Sequence, residues 1–322
     1  MFRQTIFALF AVTCVCLADA PDRPTLLKRM ELAMGPLPAD FHKKPLDLQA
    51  SREEKFDGYV RKTITYASSE EDRVPAYLLV PTGFTGKRPA ALCLHQTTSI
   101  GKGEPAGLNK DANKHYALEL VKRGYVCLVP DYPSFGDYKY DFKKSTFSSG
   151  TMKAIVNNMR GIDLLQSLPE VDGQRIAAIG HSLGGHNAMF TAAFDERIKA
   201  IVSCCGFCSF HKYYGGNLKG WTSDRYMPRI ATEYKNDPKK MPFDFTDVVA
   251  SFAPRAFLAV APVKDNNFAV DGVRDVFKAA LPAYEQRKAI EELQARYPEA
   301  EHDFPPAERK AAYEFIDKRL KP

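Results

Sequence analysis

Three residues far apart in the sequence have the types needed for nucleophilic catalysis: Ser182, Asp265 and His302. A serine hydroxyl is a weak nucleophile at neutral pH, so it needs a neighbouring base, and that base needs an acid to orient it. The order serine, acid, histidine is one of those known for such triads. The sequence therefore predicts acyl transfer, with Ser182 as nucleophile, His302 as base and Asp265 as the orienting acid.

Ser182 lies in the pattern Gly180-His-Ser-Leu-Gly184, which follows a short apolar run at 176–179 and precedes a helix-like segment. A serine at the apex of a tight strand-to-helix turn leaves almost no room for side chains two positions before and after it, which explains the two glycines. The pattern alone is weak, and a glycine-serine turn without chemical meaning is the alternative. The strand before it and the helix after it favour a nucleophile elbow.

The two partners of Ser182 are predicted in loops at the ends of strands. Asp265 follows the predicted strand 255–260, and His302 lies in the loop 298–306, between the last predicted strand and the last helix. His302 is the only histidine after residue 211. Either residue could instead be an ordinary exposed loop residue. Asp271 and Asp275 compete with Asp265 but belong to the helix that follows.

An acyl-transfer site also needs two amides that stabilise a developing oxyanion. The N–H of Leu183, at the start of the helix after Ser182, supplies the first. The second is expected in the loop after strand 89–94, where Thr97 is favoured over Gln96 and both remain open. We assign the substrate-binding wall to His95, Tyr132, Phe135 and Trp221. Trp221 could instead only hold its own segment together.

Strands and helices alternate along the chain, which predicts an α/β fold with a mostly parallel, doubly wound sheet and helices on both faces. This alternation of strands and helices is lost at about 204–251, which we interpret as a lid insertion after the sixth predicted strand. Residues 21–322 form one predicted domain. The predicted strands are 62–66, 74–80, 89–94, 125–129, 176–179, 198–203, 255–260 and 293–297, and the predicted helices are 25–34, 113–123, 151–168, 271–286 and 309–320.

The composition excludes some classes of protein and partner. The 322 residues carry a formal net charge of +6, spread without a long basic block, so we expect no nucleic-acid partner. Residues 1–20 combine Arg3, an apolar stretch and an Ala-x-Ala site, the pattern of a signal peptide. No second apolar stretch reaches 18 residues, so we expect an exported protein without stable membrane insertion. Its oligomeric state is left open.

Five cysteines remain after removal of the predicted signal peptide: Cys93, Cys127, Cys204, Cys205 and Cys208. The last two form a C-x-x-C pattern, but no thioredoxin-like surroundings support redox chemistry, and no second Cys/His pair follows at zinc-finger spacing. We therefore expect no metal and no cofactor. A disulfide among the last three cysteines stays open, since an exported protein meets an oxidising environment.

Together these motifs resemble those of the α/β-hydrolase superfamily, and within it the dienelactone-hydrolase-like and acetyl-xylan-esterase-like bacterial serine esterases. The motifs are Leu94-His95-Gln96, Pro130-Asp-Tyr-Pro133, Gly180-His-Ser-Leu-Gly-Gly185, Ala261-Pro-Val-Lys-Asp265 and Glu301-His-Asp-Phe304. The resemblance implies an α/β-hydrolase fold and a serine carboxylesterase that needs no cofactor. It also suggests a small-molecule or carbohydrate ester as substrate, such as an acyl ester on a polysaccharide.

The chain departs from this pattern at its nucleophile. Dienelactone hydrolases carry a cysteine where this chain has Ser182, which favours ordinary ester hydrolysis over lactone opening. Secreted prolyl peptidases share the catalytic domain but add a large propeller, for which the residues before the third predicted strand are too few. The alternatives are an amidase, lactonase or peptidase with the same triad, or a non-catalytic binding protein on this fold.

Overall fold

The computed structural model describes residues 22–69 and 72–321, so the predicted signal peptide lies outside the described residues. Within these described residues, nine strands form one sheet, and eight α-helices connect or cover them. The strands are β1 (Gln49–Phe56), β2 (Tyr59–Ser69), β3 (Asp72–Pro81), β4 (Arg88–Leu94), β5 (Val126–Pro130), β6 (Val171–His181), β7 (Ile198–Cys204), β8 (Ala256–Val260) and β9 (Leu293–Arg296). The helices are α1 (Arg23–Met34), α2 (Tyr116–Lys122), α3 (Gly150–Ser167), α4 (Leu183–Phe194), α5 (Arg229–Thr232), α6 (Phe245–Ala250), α7 (Val270–Gln286) and α8 (Pro306–Leu320).

The strand order is β1-β2-β3-β5-β4-β6-β7-β8-β9. The first three strands pair antiparallel, and β3 also runs antiparallel to β5. From β5 to β9 every pair is parallel. The order reverses at β4, which lies between β5 and β6, and open sheets of this kind bind ligands where their strand order reverses.

Side chains alternate between two hydrophobic cores, one on each face of the sheet. In β4, for example, Leu92 packs into the core that contains α1, α3, α4, α6 and α7. Its neighbours Ala91 and Cys93 pack into the opposite core with α2 and α8. Because both faces are covered, the central strands contain almost only apolar residues. The mostly parallel, doubly wound sheet is therefore confirmed.

The sequence did not predict strand β1. Its residues are largely polar, and almost all are exposed, so they lack the alternation that marks a strand with one buried face. Pairing of its backbone with β2 creates the strand at the edge of the sheet. Because β1 adds one strand to the count, the irregular segment predicted as a lid insertion after the sixth strand follows the seventh strand of the sheet.

That irregular segment joins β7 to β8 and contains short 3₁₀ turns together with α5 and α6. Its phenylalanine and tryptophan side chains are buried in the first core, where they pack against one another and against α4. They are Phe207, Phe210, Trp221, Phe243, Phe245 and Phe252. The segment thus contributes to the hydrophobic core of the molecule. Among the described residues, no helix is long and apolar enough to cross a membrane.

Candidate active site

Ser182 lies between β6 and α4 with a backbone conformation of φ 53° and ψ −118°. Such a conformation costs a non-glycine residue about 1–3 kcal/mol, and it is found mainly where function requires it. A Cβ on Gly180 would lie 2.2 Å from the backbone of Gly184, and a Cβ on Gly184 would lie 1.8 Å from the carbonyl oxygen of Leu94. The two glycines are therefore required by the close approach of the backbone at this turn.

Asp265 and His302 are hydrogen bonded to each other. His302 Nδ1 lies 2.9 Å from Asp265 Oδ1 and 3.0 Å from Oδ2, which leaves Nε2 as the nitrogen available for proton transfer. The carboxylate is only 1% exposed and the imidazole 26% exposed. Asp265 Oδ1 also accepts the N–H groups of Asn267 and Phe268. These contacts hold the carboxylate in place against Nδ1 of the histidine ring.

The loop that carries His302 is anchored through the next residue, Asp303. Its carboxylate accepts hydrogen bonds from Lys114 Nζ at 2.5 Å and Asn113 Nδ2 at 2.6 Å. Burial opposes ionisation of Asp303, but these donors outweigh it and hold the pKa of the carboxyl below its usual value. An ion pair at the adjacent position therefore restrains the loop that presents His302.

The sheet register brings these loops to one edge. His181, the last residue of β6, pairs with Cys204 of β7, and Cys204 pairs with Val260 of β8. The chain reaches Ser182 directly after β6 and Asp265 shortly after β8. The ring of His302 lies 4.9 Å from the ring of His181, so the Asp265–His302 pair is next to the turn that holds the serine.

A cavity of about 70 Å³ opens beside Ser182. The loop after β4, the start of α4, the β7–β8 segment and the loop after Asp265 all contribute to its wall. The lining residues are Thr97, Ser182, Leu183, His186, Tyr213, Gly220, Trp221, Tyr226, Asn267 and Phe268. Since Phe268 also lies against the ring of His302, at 6.1 Å between ring centroids, the cavity adjoins the Asp265–His302 pair.

Leu183 and Thr97 both line this cavity together with Ser182. Leu183 is the first residue of α4, where N–H groups have no acceptor within the helix. Gln96 is not among the lining residues, and its carbonyl oxygen lies 2.6 Å from Nδ1 of His95. Thr97 thus borders the same cavity as Ser182, and Gln96 does not.

His95, which the sequence assigned to the substrate-binding wall, is a buried residue that connects two loops. It is 2% exposed, and both ring nitrogens have partners: Nδ1 faces the Gln96 carbonyl, and Nε2 accepts the N–H of Tyr132. Burial lowers the pKa of His95, which keeps its ring neutral for these two contacts. His95 does not line the cavity beside Ser182. It instead connects the loop after β4 to the loop after β5.

Tyr132 and Phe135 form a small hydrophobic cluster with Leu183 behind the cavity, and neither residue lines it. The Tyr132 hydroxyl donates to the carbonyl oxygen of Arg225, and the Arg225 guanidinium lies over the Phe135 ring. These two aromatics therefore support the wall from behind and join the β7–β8 segment to the loop after β5.

Trp221 lines the cavity and also holds its segment together, so both interpretations of its sequence position apply. It is 3% exposed, and its ring packs edge-on against His186 at 4.7 Å. His186 Nδ1 contacts the carbonyl oxygen of Gly206, while His186 Nε2 and Trp221 Nε1 are buried without a partner among the described residues. Burial lowers the pKa of His186 to about 3, so its ring is neutral.

The sequence assigned no role to Tyr213, Tyr226, Asn267 or Phe268, although all four line the cavity. The two tyrosines come from the irregular segment, whose aromatic content was the one available signal. Asn267 and Phe268 lie directly after Asp265, in a turn that is closed by hydrogen bonds from their N–H groups to its carboxylate. Asp favours such turns because its side chain can accept a hydrogen bond from the backbone two residues later, so Asp265 was itself the available signal.

The cysteines of the described residues are all free and buried, so the disulfide considered among Cys204, Cys205 and Cys208 is not formed. Cys205 and Cys208 therefore do not act as a bridged C-x-x-C pair in this structure. Cys204 and Cys205 instead lie next to each other at the end of β7, with their sulfur atoms 3.6 Å apart.

Comparison with known families gives one match. The Prolyl oligopeptidase family matches residues 113–321, which is more than half of the chain. The matched part begins just before α2 and includes Ser182, Asp265 and His302.

Among individual proteins, the chain is 26% identical to "Putative hydrolase YtaP" of Bacillus subtilis over 273 residues, which is 80% of this chain and 86% of that protein. It is 22% identical to "Carbohydrate esterase MZ0003", from an unknown prokaryotic organism, over 191 residues, 53% of this chain and 43% of that protein. These matches support a hydrolase.

Solved structures confirm the α/β-hydrolase fold. A glucuronoyl esterase from Solibacter usitatus has a TM-score of 0.73 at 18% identity and covers 92% of this chain and 91% of its own. An acetyl xylan esterase from Paenibacillus sp. R4 has a TM-score of 0.63 at 18% identity, with 91% and 99% covered. At 18% identity the similarity establishes the fold alone, so the substrate has to be inferred from the site.

Proposed function

Because the chain belongs to the Prolyl oligopeptidase family of α/β-hydrolases, we propose that it is a serine hydrolase that cleaves carboxylic esters carried by carbohydrates. The observation that carries the proposal is the hydrogen-bonded pair Asp265–His302 beside the strained turn of Ser182. A buried carboxylate that fixes one nitrogen of a partly exposed imidazole is the arrangement that general-base catalysis requires.

In the proposed reaction, His302 Nε2 takes the hydroxyl proton of Ser182 as the serine oxygen attacks the ester carbonyl. Asp265 keeps the Nδ1 proton in place and stabilises the imidazolium that forms. The amides of Leu183 and Thr97 stabilise the oxyanion. His302 then protonates the departing alcohol, and an acyl-enzyme remains. Water attacks this intermediate by the same route and regenerates Ser182.

The cavity supports a small group at the reacting end of the substrate. Its volume of about 70 Å³ has room for a small group such as an acetyl or methoxy group. Two residues of the wall each have a buried ring nitrogen without a partner among the described residues, an acceptor at His186 Nε2 and a donor at Trp221 Nε1. Buried polar atoms left without partners are costly unless a ligand completes them, and sugar hydroxyls can do so.

Further support comes from the names of similar proteins. Carbohydrate esterases appear both among the sequence relatives and among the structures that share the fold. The signal-peptide pattern at residues 1–20 adds to the proposal, since polysaccharides lie outside the cell. The proposed enzyme is thus exported, and residues 21–322 act as one catalytic unit in which the β7–β8 segment covers the cavity.

The proposal is tested by ester hydrolysis. The purified protein should hydrolyse 4-nitrophenyl acetate, and Ser182→Ala should lower kcat by about 10³-fold or more, as expected when a triad serine is lost. Ser203→Ala is a matched control, because this buried serine lies at the end of the neighbouring strand. Equal rates for Ser182→Ala and the unaltered protein would contradict the proposal.

Substrate class is tested with three compounds: an acetylated xylo-oligosaccharide, a glucuronate methyl ester and a prolyl peptide amide. The family name and a 24% match over 106 residues to "Dipeptidyl-peptidase 5" of Porphyromonas gingivalis make peptide cleavage the second candidate. We expect kcat/KM to be highest for one of the two sugar esters. Cleavage of the peptide amide in preference to both esters would assign the same triad to a peptidase.

A further inference from the structure

Two cysteines and a histidine converge beside the Asp265–His302 pair. Cys204 and His181 are neighbours across β6 and β7, at the ends of the two strands. Cys205 follows with a left-handed backbone conformation (φ 48°), and its sulfur atom lies 3.6 Å from that of Cys204. One ligand atom from each of the three residues lies within 4.8 Å of the others.

These three side chains are fully or almost fully buried: Cys204 is 0% exposed, Cys205 2% and His181 1%. Neither ring nitrogen of His181 has a hydrogen-bond partner among the described residues. The backbone of His302 is near this ring but does not meet hydrogen-bond geometry. An imidazole buried with both nitrogens unsatisfied is costly, and neither hydrolysis nor packing explains it.

We propose that His181, Cys204 and Cys205 form a binding site for a thiophilic divalent cation, Zn²⁺ or Cd²⁺, and that its occupancy inhibits the hydrolase. Thiolate and imidazole are the ligands that such ions select. Zinc binds sulfur at about 2.3 Å and nitrogen at about 2.0–2.1 Å, so two sulfur ligands of a tetrahedral ion lie about 3.8 Å apart. The observed separation of 3.6 Å is already close to that value.

Inhibition follows from the position of Cys205. Its sulfur also lies within 4.8 Å of one ligand atom each of Asp265 and His302. A cation held by Cys205 is therefore within reach of His302, which can become its fourth ligand or lose its contact with Asp265. In either case the base of the proposed reaction is removed. Binding replaces the two thiol protons, which pass to the solvent, so the bound ion and its two thiolates carry no net charge.

The site is tested by titrating the reduced, metal-free protein with Cd²⁺ and following thiolate-to-cadmium charge-transfer absorption. We expect one ion per chain and a raised midpoint of thermal unfolding, because the folded chain alone holds the complete ligand set. Cys204→Ala and Cys205→Ala should abolish this absorption. His181→Phe should weaken binding by at least about tenfold, the lower limit for altering the surroundings of a metal ligand.

Cys208→Ala and Cys127→Ala are matched controls, since each removes a buried free cysteine outside the cluster and should leave the titration unchanged. Absence of saturable binding to the unaltered protein, or binding that survives both Cys204→Ala and Cys205→Ala, would overturn the site. The thermal measurement uses the unaltered protein, so a variant that fails to fold does not decide the result.

The inhibitory part rests on the proposed function and is measured separately. Cd²⁺ should abolish hydrolysis of 4-nitrophenyl acetate by the unaltered protein. Cys204→Ala should retain its metal-free rate within about twofold and resist the ion, since loss of a thiolate ligand prevents the metal from binding. Stoichiometric binding without inhibition would refute the link to His302. A protein that binds one ion but never hydrolyses esters would refute the proposed function and keep the metal site.

Discussion

Two buried polar clusters of this protein differ in how completely their atoms are paired. The first, which we call the Lys153 cluster, joins the β2–β3 hairpin to α3 and contains Ser68, Asp72, Tyr138, Lys153 and Asn157. The ammonium group of Lys153 pairs with the carboxylate of Asp72 and contacts the Ser68 hydroxyl at 3.3 Å. The hydroxyls of Tyr138 and Ser68 donate to Asp72 and Asn157, at 2.6 and 2.5 Å.

The second cluster surrounds Ser182 and contains buried atoms with no partner among the described residues: both nitrogens of His181, Nε2 of His186 and Nε1 of Trp221. Buried polar groups are normally paired, so a ligand that completes the pairing would account for these unpaired atoms near Ser182. The comparison contrasts a polar cluster whose groups pair with one another and one whose unpaired atoms we assign to a ligand.

The largest expected effect is on catalysis, from Asp265→Asn. An amide cannot hold the imidazole in the required tautomer, and in other triads this change lowers kcat by about 10⁴-fold. The side-chain oxygen of asparagine can still accept the N–H groups of Asn267 and Phe268, so thermal stability should change little. The measurements are kcat on 4-nitrophenyl acetate and the thermal midpoint.

Asp271→Asn is the control for this change, because Asp271 is an exposed acid on α7 that pairs with Arg274. It should keep full activity. If Asp265→Asn were as active as this control, the assignment of Asp265 as the orienting acid would be wrong, and the second cluster would lose its functional interpretation.

Lys153→Met should show the opposite pattern, a large loss of stability with little change in kcat. The Lys153 side chain is 1% exposed, and burial lowers its pKa while Asp72 acts against that change. Removal of one partner of a buried ion pair typically costs about 3–5 kcal/mol, since the other charge is left unpaired. Denaturant unfolding should show this loss. The kcat of the folded protein should stay within about twofold of the unaltered value, because the loss of this pair acts on the stability of the fold.

Lys310→Met is the matched control, since Lys310 lies on the surface of α8 and is 75% exposed. Surface ion pairs contribute at most about 1 kcal/mol, so unfolding should barely change. A large loss of kcat in Lys153→Met with intact stability would remove the distinction between the two clusters.

A smaller effect is expected at the cavity wall, for His186→Phe. Phenylalanine keeps the edge-on ring contact with Trp221 but removes Nε2, which we assign to a sugar hydroxyl, and also removes the contact of Nδ1 with the Gly206 carbonyl oxygen. One hydrogen bond is worth about 0.5–1.5 kcal/mol, so KM for a sugar ester should rise up to about tenfold. Because 4-nitrophenyl acetate has no hydroxyl to bind, its KM should not change. Equal changes for both substrates would indicate a structural role for His186.

The smallest expected effect is the pH dependence of stability that Asp244 contributes. Its carboxylate caps α6 and accepts the N–H groups of Phe210 and Phe245, but burial raises its pKa from 3.8 to about 6. The folded state thus binds this proton more tightly than the unfolded state. The stabilisation is complete below pH 3.8 and is lost as the pH rises through about 6.

Asp244→Asn removes this titration while keeping one acceptor oxygen. Its free energy of unfolding should therefore increase relative to that of the unaltered protein, so that the variant becomes relatively more stable, as the pH rises from about 4 to about 7. Denaturant unfolding at the two pH values measures the difference. Asp237→Asn is a control at the start of an exposed turn. Parallel pH profiles for the unaltered protein and Asp244→Asn would contradict the raised pKa.

Much of the fold was predictable because the central strands are apolar on both faces and the helices end at clear signals. The strand β6, the turn at Ser182 and the helix α4 appear in the sequence as an apolar run, a glycine pattern and a helical segment. Strand β1 was not predictable, since its polar, exposed residues gain their structure from pairing with β2. Local pattern cannot reveal a strand that depends on a partner.

The site was predictable where chemistry constrains residue type. Ser182, Asp265 and His302 were predicted because acyl transfer needs a serine, a base and an acid, and the structure brings Asp265 and His302 into hydrogen-bond contact. The cavity wall was predictable only in part, since Trp221 lines it but His95, Tyr132 and Phe135 lie behind it. Which face of a loop points toward the cavity depends on tertiary packing, and residue type does not encode it.

The convergence of His181 with Cys204 and Cys205 was equally invisible in the sequence, where the C-x-x-C spacing drew attention to Cys205 and Cys208 instead. The pairing register of β6 and β7 creates the cluster, and a register between strands cannot be deduced from cysteine spacing.

The most direct test of the central claim is labelling with a fluorophosphonate, which reacts with a serine only when a neighbouring base activates it. We expect one label per chain, located on Ser182 by peptide mass spectrometry. The variant His302→Ala should fold but should be labelled much more weakly. Labelling of another residue, or unchanged labelling of Ser182 in His302→Ala, would contradict the account.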